Sequence, residues 1–131
     1  MSAVNKKGLI WLEQGYLLFA EEGIEGIQIE RLARILQLNK SGFYYYFGDL
    51  EGYYAELLKL HEERAVCFVK AIGCLKQFNP GFIDLSIAYA AGTMFQVQLT
   101  RHRHHSSFNE IRKRIDRDVF HFAWGNGHWT C

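Results

Sequence analysis

Residues 29 to 47, IERLARILQLNKSGFYYYF, constrain the fold of this chain more than any other stretch. Four apolar side chains in its first half recur at the i, i+3, i+4 and i+7 positions that lie on one face of a helix. Asn39 follows, and asparagine is a preferred N-cap because its side chain can accept a backbone N–H of the next turn. The pattern predicts two short helices joined by a tight turn, an arrangement that places a helix in the DNA major groove in many proteins. The four apolar residues are Ile29, Leu32, Ala33 and Leu36.

The second short helix is predicted over residues 40 to 47. Phe43 and Phe47 are four positions apart, so they share a face and are expected to point inward. Leu38 is expected to be an apolar plug for the preceding turn. A helix this short is marginal alone, so packing against its neighbours must hold it. The residues left for the outer surface are Lys40, Ser41, Gly42, Tyr44 and Tyr45.

The flanking segments are also predicted to be helical. Residues 5 to 22 form an amphipathic pattern that ends at Gly23, a residue type that adopts positive φ at low cost. Asp49 is a good N-cap for a long helix over about residues 50 to 77. The inward stripe of the first helix is expected to contain Leu9, Leu12, Tyr16, Phe19 and Ala20, joined by Ile10, Leu17 and Leu18.

The second half of the chain contains two more predicted helices. Asn79-Pro80-Gly81 is the clearest break, and an apolar helix follows over about residues 82 to 99. A further amphipathic segment covers residues 108 to 122. Small residues in the first of these helices permit close packing or leave room for a cavity. The fold class predicted is all-α, with a helix-turn-helix domain over residues 1–48 and a helical regulatory domain over residues 49–131.

Residues 9 to 58 resemble the DNA-binding region of the tetracycline-repressor (TetR) family of bacterial transcription regulators. The resemblance implies an all-helical homodimer that binds double-stranded DNA, with a ligand-sensing and dimer-forming domain after the DNA-binding part. That family normally continues for two further long helices, so the regulatory domain is expected to be shortened. The matching motifs are Phe19-Ala20-Glu21-Glu22-Gly23, Ile29-x-x-Leu32-Ala33, Leu36-x-Leu38-Asn39-Lys40-Ser41 and Phe43-Tyr44-Tyr45-x-Phe47.

The function expected from this resemblance is transcription regulation, most simply repression that a small apolar effector relieves. The residues expected to contact DNA are Lys6, Lys7, Gln28, Arg34, Asn39, Lys40, Ser41, Gly42, Tyr44 and Tyr45. The residues expected to line the effector pocket are Phe68, Ile72, Ile87, Ala91, Met94 and Phe95.

Three positions depart from the family pattern. Gln28 stands where the family usually has a capping threonine, and Tyr46 stands where it usually has histidine. Leu50 replaces a lysine that touches a DNA phosphate. Residues 1–50 also carry only five basic residues against six acidic ones. Few phosphate contacts are therefore expected for each monomer, and dimerisation is needed for useful affinity.

Composition favours a cytoplasmic protein with no membrane span. The sequence has 131 residues, 22% of them charged, and no run of 18 apolar residues. Three cysteines at no paired spacing fit a reducing compartment. Cys67 and Cys74 lie on one predicted helix, too far apart for a disulfide, and are expected to be small buried apolar residues.

Two other functions stay open. The chain could be a helical module that binds a protein partner, since the phosphate-binding lysine and the terminal helices of the family are missing. It could also be a metal or redox sensor, since His102 and His105 are three positions apart and cysteines are present. No metal site is predicted, because no cysteine or carboxylate lies at a suitable local spacing from these histidines. No cofactor or enzymatic activity is predicted, because no catalytic or phosphate-binding motif occurs.

Overall fold

The protein is all-helical in the computed structural model, which describes residues 6–74 and 81–121. A 3₁₀ turn, Gly23–Gly26, separates the first two α-helices. No strand occurs within the described ranges. The helices are α1 (Lys6–Glu22), α2 (Ile29–Leu36), α3 (Lys40–Phe47), α4 (Leu50–Gly73), α5 (Gly81–Ala88), α6 (Ala90–Arg101) and α7 (Ser106–Phe120).

The predicted helix boundaries around α2 and α3 are confirmed. Asn39 Oδ1 accepts the backbone N–H of Ser41 at 3.3 Å, and Asp49 Oδ1 accepts that of Gly52 at 2.8 Å. Gly23 ends α1 with a φ of 75°, in the left-handed region that glycine adopts without steric strain. Local capping chemistry therefore accounts for the start of α3, the start of α4 and the end of α1.

Two later helices differ from the sequence prediction. Helix α4 ends at Gly73 rather than near residue 77, and residues 75–77 lie outside the described residues. The single helix predicted over residues 82 to 99 is two helices that meet at Tyr89. Thr93 Oγ1 donates to the Tyr89 carbonyl at 3.2 Å, and such bonds to the preceding turn often bend helices. The α7 helix covers most of the last predicted segment, while residue 122 is not described.

The predicted apolar stripe of α1 is wrong in part. Leu9, Ile10 and Leu17 are exposed, whereas Trp11 is buried. Helices α2, α3, α4 and α6 all contact α1. The residues of α1 that become buried include Trp11 and two glycines, Gly8 and Gly15. Leu38 is also exposed, so it is not an apolar plug, and the turn is closed by the bond from its backbone N–H to the Ala33 carbonyl at 3.0 Å.

One continuous hydrophobic core crosses the predicted boundary between residues 48 and 49. It extends from Trp11 and Phe43 beside α3 to Phe95 and Phe108 on α6 and α7. Helix α1 contacts α6 as well as α2, α3 and α4, so it connects the two halves of the chain. Helix α5 contains no buried residue and lies at the edge of this core.

Candidate functional site

Helix α3 is held from behind by aromatic packing. Phe43 is fully buried, and its ring centroid lies 5.6 Å from that of Trp11, edge to face. Phe47 packs edge to face on Tyr53 at 4.9 Å. The Tyr53 hydroxyl donates to the Trp11 carbonyl at 2.6 Å, which joins α4 to α1 behind α3. Burial raises the pKa of Tyr53, so this hydroxyl stays protonated and can donate.

The outer side of α3 carries four of the ten residues expected to contact DNA. Lys40, Ser41 and Tyr44 are exposed, and Tyr45 has 82% of its surface exposed. Gly42 differs from the prediction, since it is half-buried and a Cβ there would lie 3.7 Å from the Trp11 ring. The helix therefore presents a polar and aromatic face while its other face belongs to the core.

The remaining expected DNA contacts are exposed on neighbouring elements. The residues that precede α2 and α3 are Gln28 and Asn39, and both are exposed. The Gln28 side chain makes no capping bond to α2 and instead donates to the Glu25 carbonyl at 3.4 Å. The other exposed residues are Lys6 and Lys7 at the start of α1 and Arg34 on α2.

Acidic side chains pair with two cations of this region. Lys40 Nζ lies 3.3 Å from a carboxylate oxygen of Glu30. Arg31 donates two hydrogen bonds of 2.8 Å to the two carboxylate oxygens of Glu22. The second pair lowers the pKa of the Glu22 carboxyl through the hydrogen bond from Arg31. Phosphates that approach α3 would have to compete with Glu30 for Lys40.

A second candidate site is a cavity of about 750 Å³ between α4, α5, α6 and α7. Its walls present mainly apolar and aromatic surface, and their polar side chains come from α1, α4, α5, α6 and α7 as well as from Tyr89. The small residues Ser86, Ala88, Ala91 and Gly92 leave this space open. The polar lining residues are Tyr16, His61, Arg64, Cys67, Ser86, Tyr89, Thr93, Gln96, Thr100 and Asp116.

Only two of the six predicted pocket residues, Phe68 and Ala91, line this cavity. Ile72 and Phe95 are buried, and the Phe95 ring stacks on Tyr16 at 4.4 Å within the core. Ile87 and Met94 are exposed instead. The prediction assumed one straight helix, and the bend at Tyr89 changes which side chains of α5 and α6 face inward.

A chain of hydrogen bonds lies at the polar end of the cavity, buried at Tyr16 and His61 and exposed at Asp116. The Tyr16 hydroxyl lies 2.8 Å from His61 Nδ1, and His61 Nε2 lies 2.8 Å from Gln96 Oε1. The Gln96 amide nitrogen lies 3.1 Å from the Arg112 carbonyl and 2.9 Å from Asp116 Oδ1. These contacts join α1, α4, α6 and α7.

The partners determine the direction of each hydrogen bond in this chain. The Gln96 amide nitrogen must face Asp116 and the Arg112 carbonyl, because both of those groups only accept. Gln96 Oε1 is then left to accept from His61 Nε2–H, and His61 Nδ1 accepts from the Tyr16 hydroxyl. His61 is therefore a neutral imidazole. Burial, assisted by the nearby Arg64 charge, lowers the pKa of His61 to about 4.

Arg64 and Asp116 are the charged residues of the cavity wall, and both have partners. The Arg64 guanidinium lies 4.6 Å above the Tyr16 ring and forms an ion pair with Glu13. Asp116 Oδ2 lies 3.1 Å from Arg112 Nη1, while its other oxygen accepts from Gln96.

The cysteines are not buried as predicted. Cys67 and Cys74 are free and exposed, so they are not the small buried apolar residues that the sequence predicts. Cys67 also lines the cavity. Among the described residues, no group of three or more His, Cys, Asp or Glu side chains is placed to hold a metal ion. His102 Nε2 instead faces the Ile24 backbone N–H at 3.5 Å, and burial lowers its pKa.

Sequence reasoning missed the residues that join the cavity to α1. Tyr16, His61 and Gln96 come from three distant segments, so no local spacing indicates their contact. The only available signal was that each is a hydrogen-bonding side chain on an otherwise apolar helix face.

No helix in the described part of the chain has the length and apolar character needed to cross a membrane. The chain matches no protein-family model, no curated protein and no solved structure.

Proposed function

We propose that this protein is a DNA-binding transcription regulator of the tetracycline-repressor type, most simply a repressor that a small apolar effector releases from DNA. The observation that carries the proposal is the placement of α3. Its Asn39 cap and the buried rings of Phe43 and Phe47 fix the helix against α1 and α4. Its first residues and two tyrosines remain exposed, as a helix that enters the major groove requires.

The side chains on this face suit contacts to the DNA backbone. The N-terminal end of a recognition helix is where base and phosphate contacts concentrate, and Lys40 and Ser41 lie there. The Tyr44 hydroxyl can donate to a phosphate oxygen. An eight-residue helix offers few contacts, so specific binding is proposed for a homodimer that spans two half-sites one DNA turn apart.

The effector part of the proposal is supported by the cavity and its hydrogen-bonded connection to α1. A ligand that binds one arrangement of α4, α6 and α7 better than another shifts the population toward that arrangement. Since α1 also packs against α3, such a shift changes the position of the recognition helix relative to that of the second protomer. DNA half-sites at fixed spacing are then bound less well.

A second candidate function is a helical module that binds a protein partner. The observation that favours it is the surface of α2 and the following turn, where Ile35 and Leu38 are exposed. The ion pairs of Arg31 and Lys40 with acidic residues also reduce the free positive charge of this region. An apolar and charge-balanced surface is better suited to a protein than to DNA.

A binding selection with duplexes of random sequence, followed by fluorescence anisotropy across salt concentrations, separates these two functions. For the selected duplex, we expect Lys40→Ala to weaken binding and to reduce the salt slope by about one unit. Lys59→Ala is the matched control, because Lys59 is an exposed, ion-paired lysine on α4. Tyr44→Phe should also weaken binding. A failure to select any duplex, or equal effects of the two lysine variants, contradicts DNA recognition by α3.

A further inference from the structure

We propose that the cavity between α4, α5, α6 and α7 binds an uncharged molecule that contains aromatic rings. This inference deepens the effector part of the proposed function and rests on it for biological meaning. The binding itself requires only the cavity. Its volume of about 750 Å³ lies within the range of about 300 to 1,000 Å³ that is typical of small-molecule sites.

The charged side chains of the wall already have partners, which disfavours a charged group on the ligand. Arg64 forms an ion pair with Glu13, and its guanidinium also packs on the face of the Tyr16 ring. Both carboxylate oxygens of Asp116 already accept hydrogen bonds. A charged ligand would lose its hydration without gaining an unpaired counter-charge, and this transfer is costly in an apolar site.

The hydrogen-bonded chain adds no free ionic group at the polar end. His61 is neutral because it accepts from Tyr16 and donates to Gln96. All of its hydrogen-bonding capacity is used within the protein. The groups that a ligand meets here are therefore dipoles and ring faces, which recognise uncharged molecules.

The part of the cavity wall that contains Phe68, Phe82 and Tyr89 suits flat apolar groups. The Phe68 ring lies edge to face with Tyr89 at 5.4 Å and with Phe82 at 6.1 Å. Aromatic rings prefer such edge-to-face or offset arrangements, so a third ring can add to this cluster. Ile115 and Val119 of α7 supply aliphatic surface. The Ser86 hydroxyl lines the cavity without a hydrogen bond to the described residues, and it can bond one polar substituent.

Two fluorescent probes with the same ring systems test the inference on the full chain without DNA. N-phenyl-1-naphthylamine is uncharged, and 1-anilinonaphthalene-8-sulfonate carries one added sulfonate. We expect the uncharged probe to bind with a Kd at least about tenfold lower, which corresponds to about 1.4 kcal/mol. Equal or tighter binding of the sulfonate overturns the inference, because it reveals an available positive charge.

Two variants of α6 locate the probe. Ala91→Phe adds a ring inside the cavity and should abolish binding of the uncharged probe. Met94→Phe adds a ring at an exposed position of the same helix and should leave the probe Kd unchanged. Circular dichroism establishes that both variants are folded. If Ala91→Phe binds the probe as the parent protein does, the cavity is not the site.

Thiol protection gives a second readout that needs no substitution. Cys67 lines the cavity and Cys74 does not, and both are exposed. Saturation with the uncharged probe should slow alkylation of Cys67 several-fold and leave Cys74 unaffected, as measured by peptide mass spectrometry. Equal alkylation rates with and without probe overturn the assignment. These results are independent of the anisotropy measurements, so failure of the cavity and failure of DNA recognition are distinguishable.

Discussion

The Tyr16 hydroxyl and His61 Nδ1 form a 2.8 Å hydrogen bond between residues 45 positions apart in the chain. The bond joins α1 to α4, and Gln96 extends it to α6 and α7. Helix α1 also packs against α3 through the edge-to-face contact of Trp11 with Phe43. The same helix therefore contacts both the cavity wall and the back of the proposed recognition helix.

Removal of the Tyr16 hydroxyl should destabilise the fold. In Tyr16→Phe, the buried His61 Nδ1 loses its donor, and an unsatisfied buried group costs about 1–3 kcal/mol. Urea denaturation monitored by circular dichroism measures this loss. Tyr45→Phe makes the same chemical change at a surface position and should stay within about 0.5 kcal/mol of the parent. Equal stability of the two variants would show that the Tyr16–His61 bond contributes nothing.

His61 should make the fold sensitive to acid. Its pKa is about 4 in the folded protein and near the ordinary 6.5 in the unfolded chain. Between these values the unfolded chain binds more protons, so the free energy of unfolding falls as the pH falls. By pH 5 the expected loss is about 2 kcal/mol relative to pH 7.5.

His61→Gln is the control for this pH dependence. The variant cannot take up a proton at this position, so its stability should fall less between pH 7.5 and pH 5 than that of the parent. Carboxyl groups titrate in both proteins, and the difference between the two curves isolates the histidine. Parallel curves would mean that the pKa of His61 is the same in the folded and the unfolded protein.

The sequence was sufficient to predict α2, the turn after it and α3, because the signals for these elements are local. The Asn39 cap and the four-residue spacing of Phe43 and Phe47 involve contacts within a few positions. The buried face of α1 was harder to predict, because apolar residues occur around most of that helix. Tertiary packing selects Trp11 over Leu9, and this choice depends on helices far along the chain.

The cavity was predictable only in part for the same reason. Small residues in the segment before residue 93 indicated that space was available, and Ala91 and Gly92 do line the cavity. The backbone leaves helical dihedral angles at Tyr89 (φ −105°, ψ 35°), and this break changes the inward face. The Tyr16–His61–Gln96 chain joins distant segments, so no periodicity could reveal it.

The Gly15 position should tolerate no side chain. A Cβ there would lie 1.7 Å from the Tyr53 hydroxyl, which is buried and bonded to the Trp11 carbonyl. Gly15→Ala should therefore cost about 1–3 kcal/mol through overpacking. Gly92→Ala is the matched control, since its Cβ would meet the Tyr16 hydroxyl at an ordinary 3.5 Å. It should raise the free energy of unfolding by about 0.5–1 kcal/mol through helix propensity. Thermal or urea unfolding that shows similar effects of both changes would contradict the packing of Tyr53 on α1.

Neutralisation of Glu30 should strengthen DNA binding if Lys40 contacts a phosphate, as proposed. Glu30 lies 3.3 Å from Lys40 Nζ, so it competes with phosphate for this cation and adds negative charge beside the DNA. Glu30→Gln should lower the Kd for DNA several-fold at low salt. The dependence of this Kd on salt concentration should also become steeper, by about one released counterion. Glu62→Gln removes a carboxylate that pairs with Arg114 at 2.9 Å, away from α2 and α3, and should leave the Kd unchanged. Anisotropy titrations of both variants at three salt concentrations measure the effect. If Glu30→Gln and Glu62→Gln behave alike, Lys40 does not contact DNA, and the surface of α2 and α3 is better assigned to a protein partner.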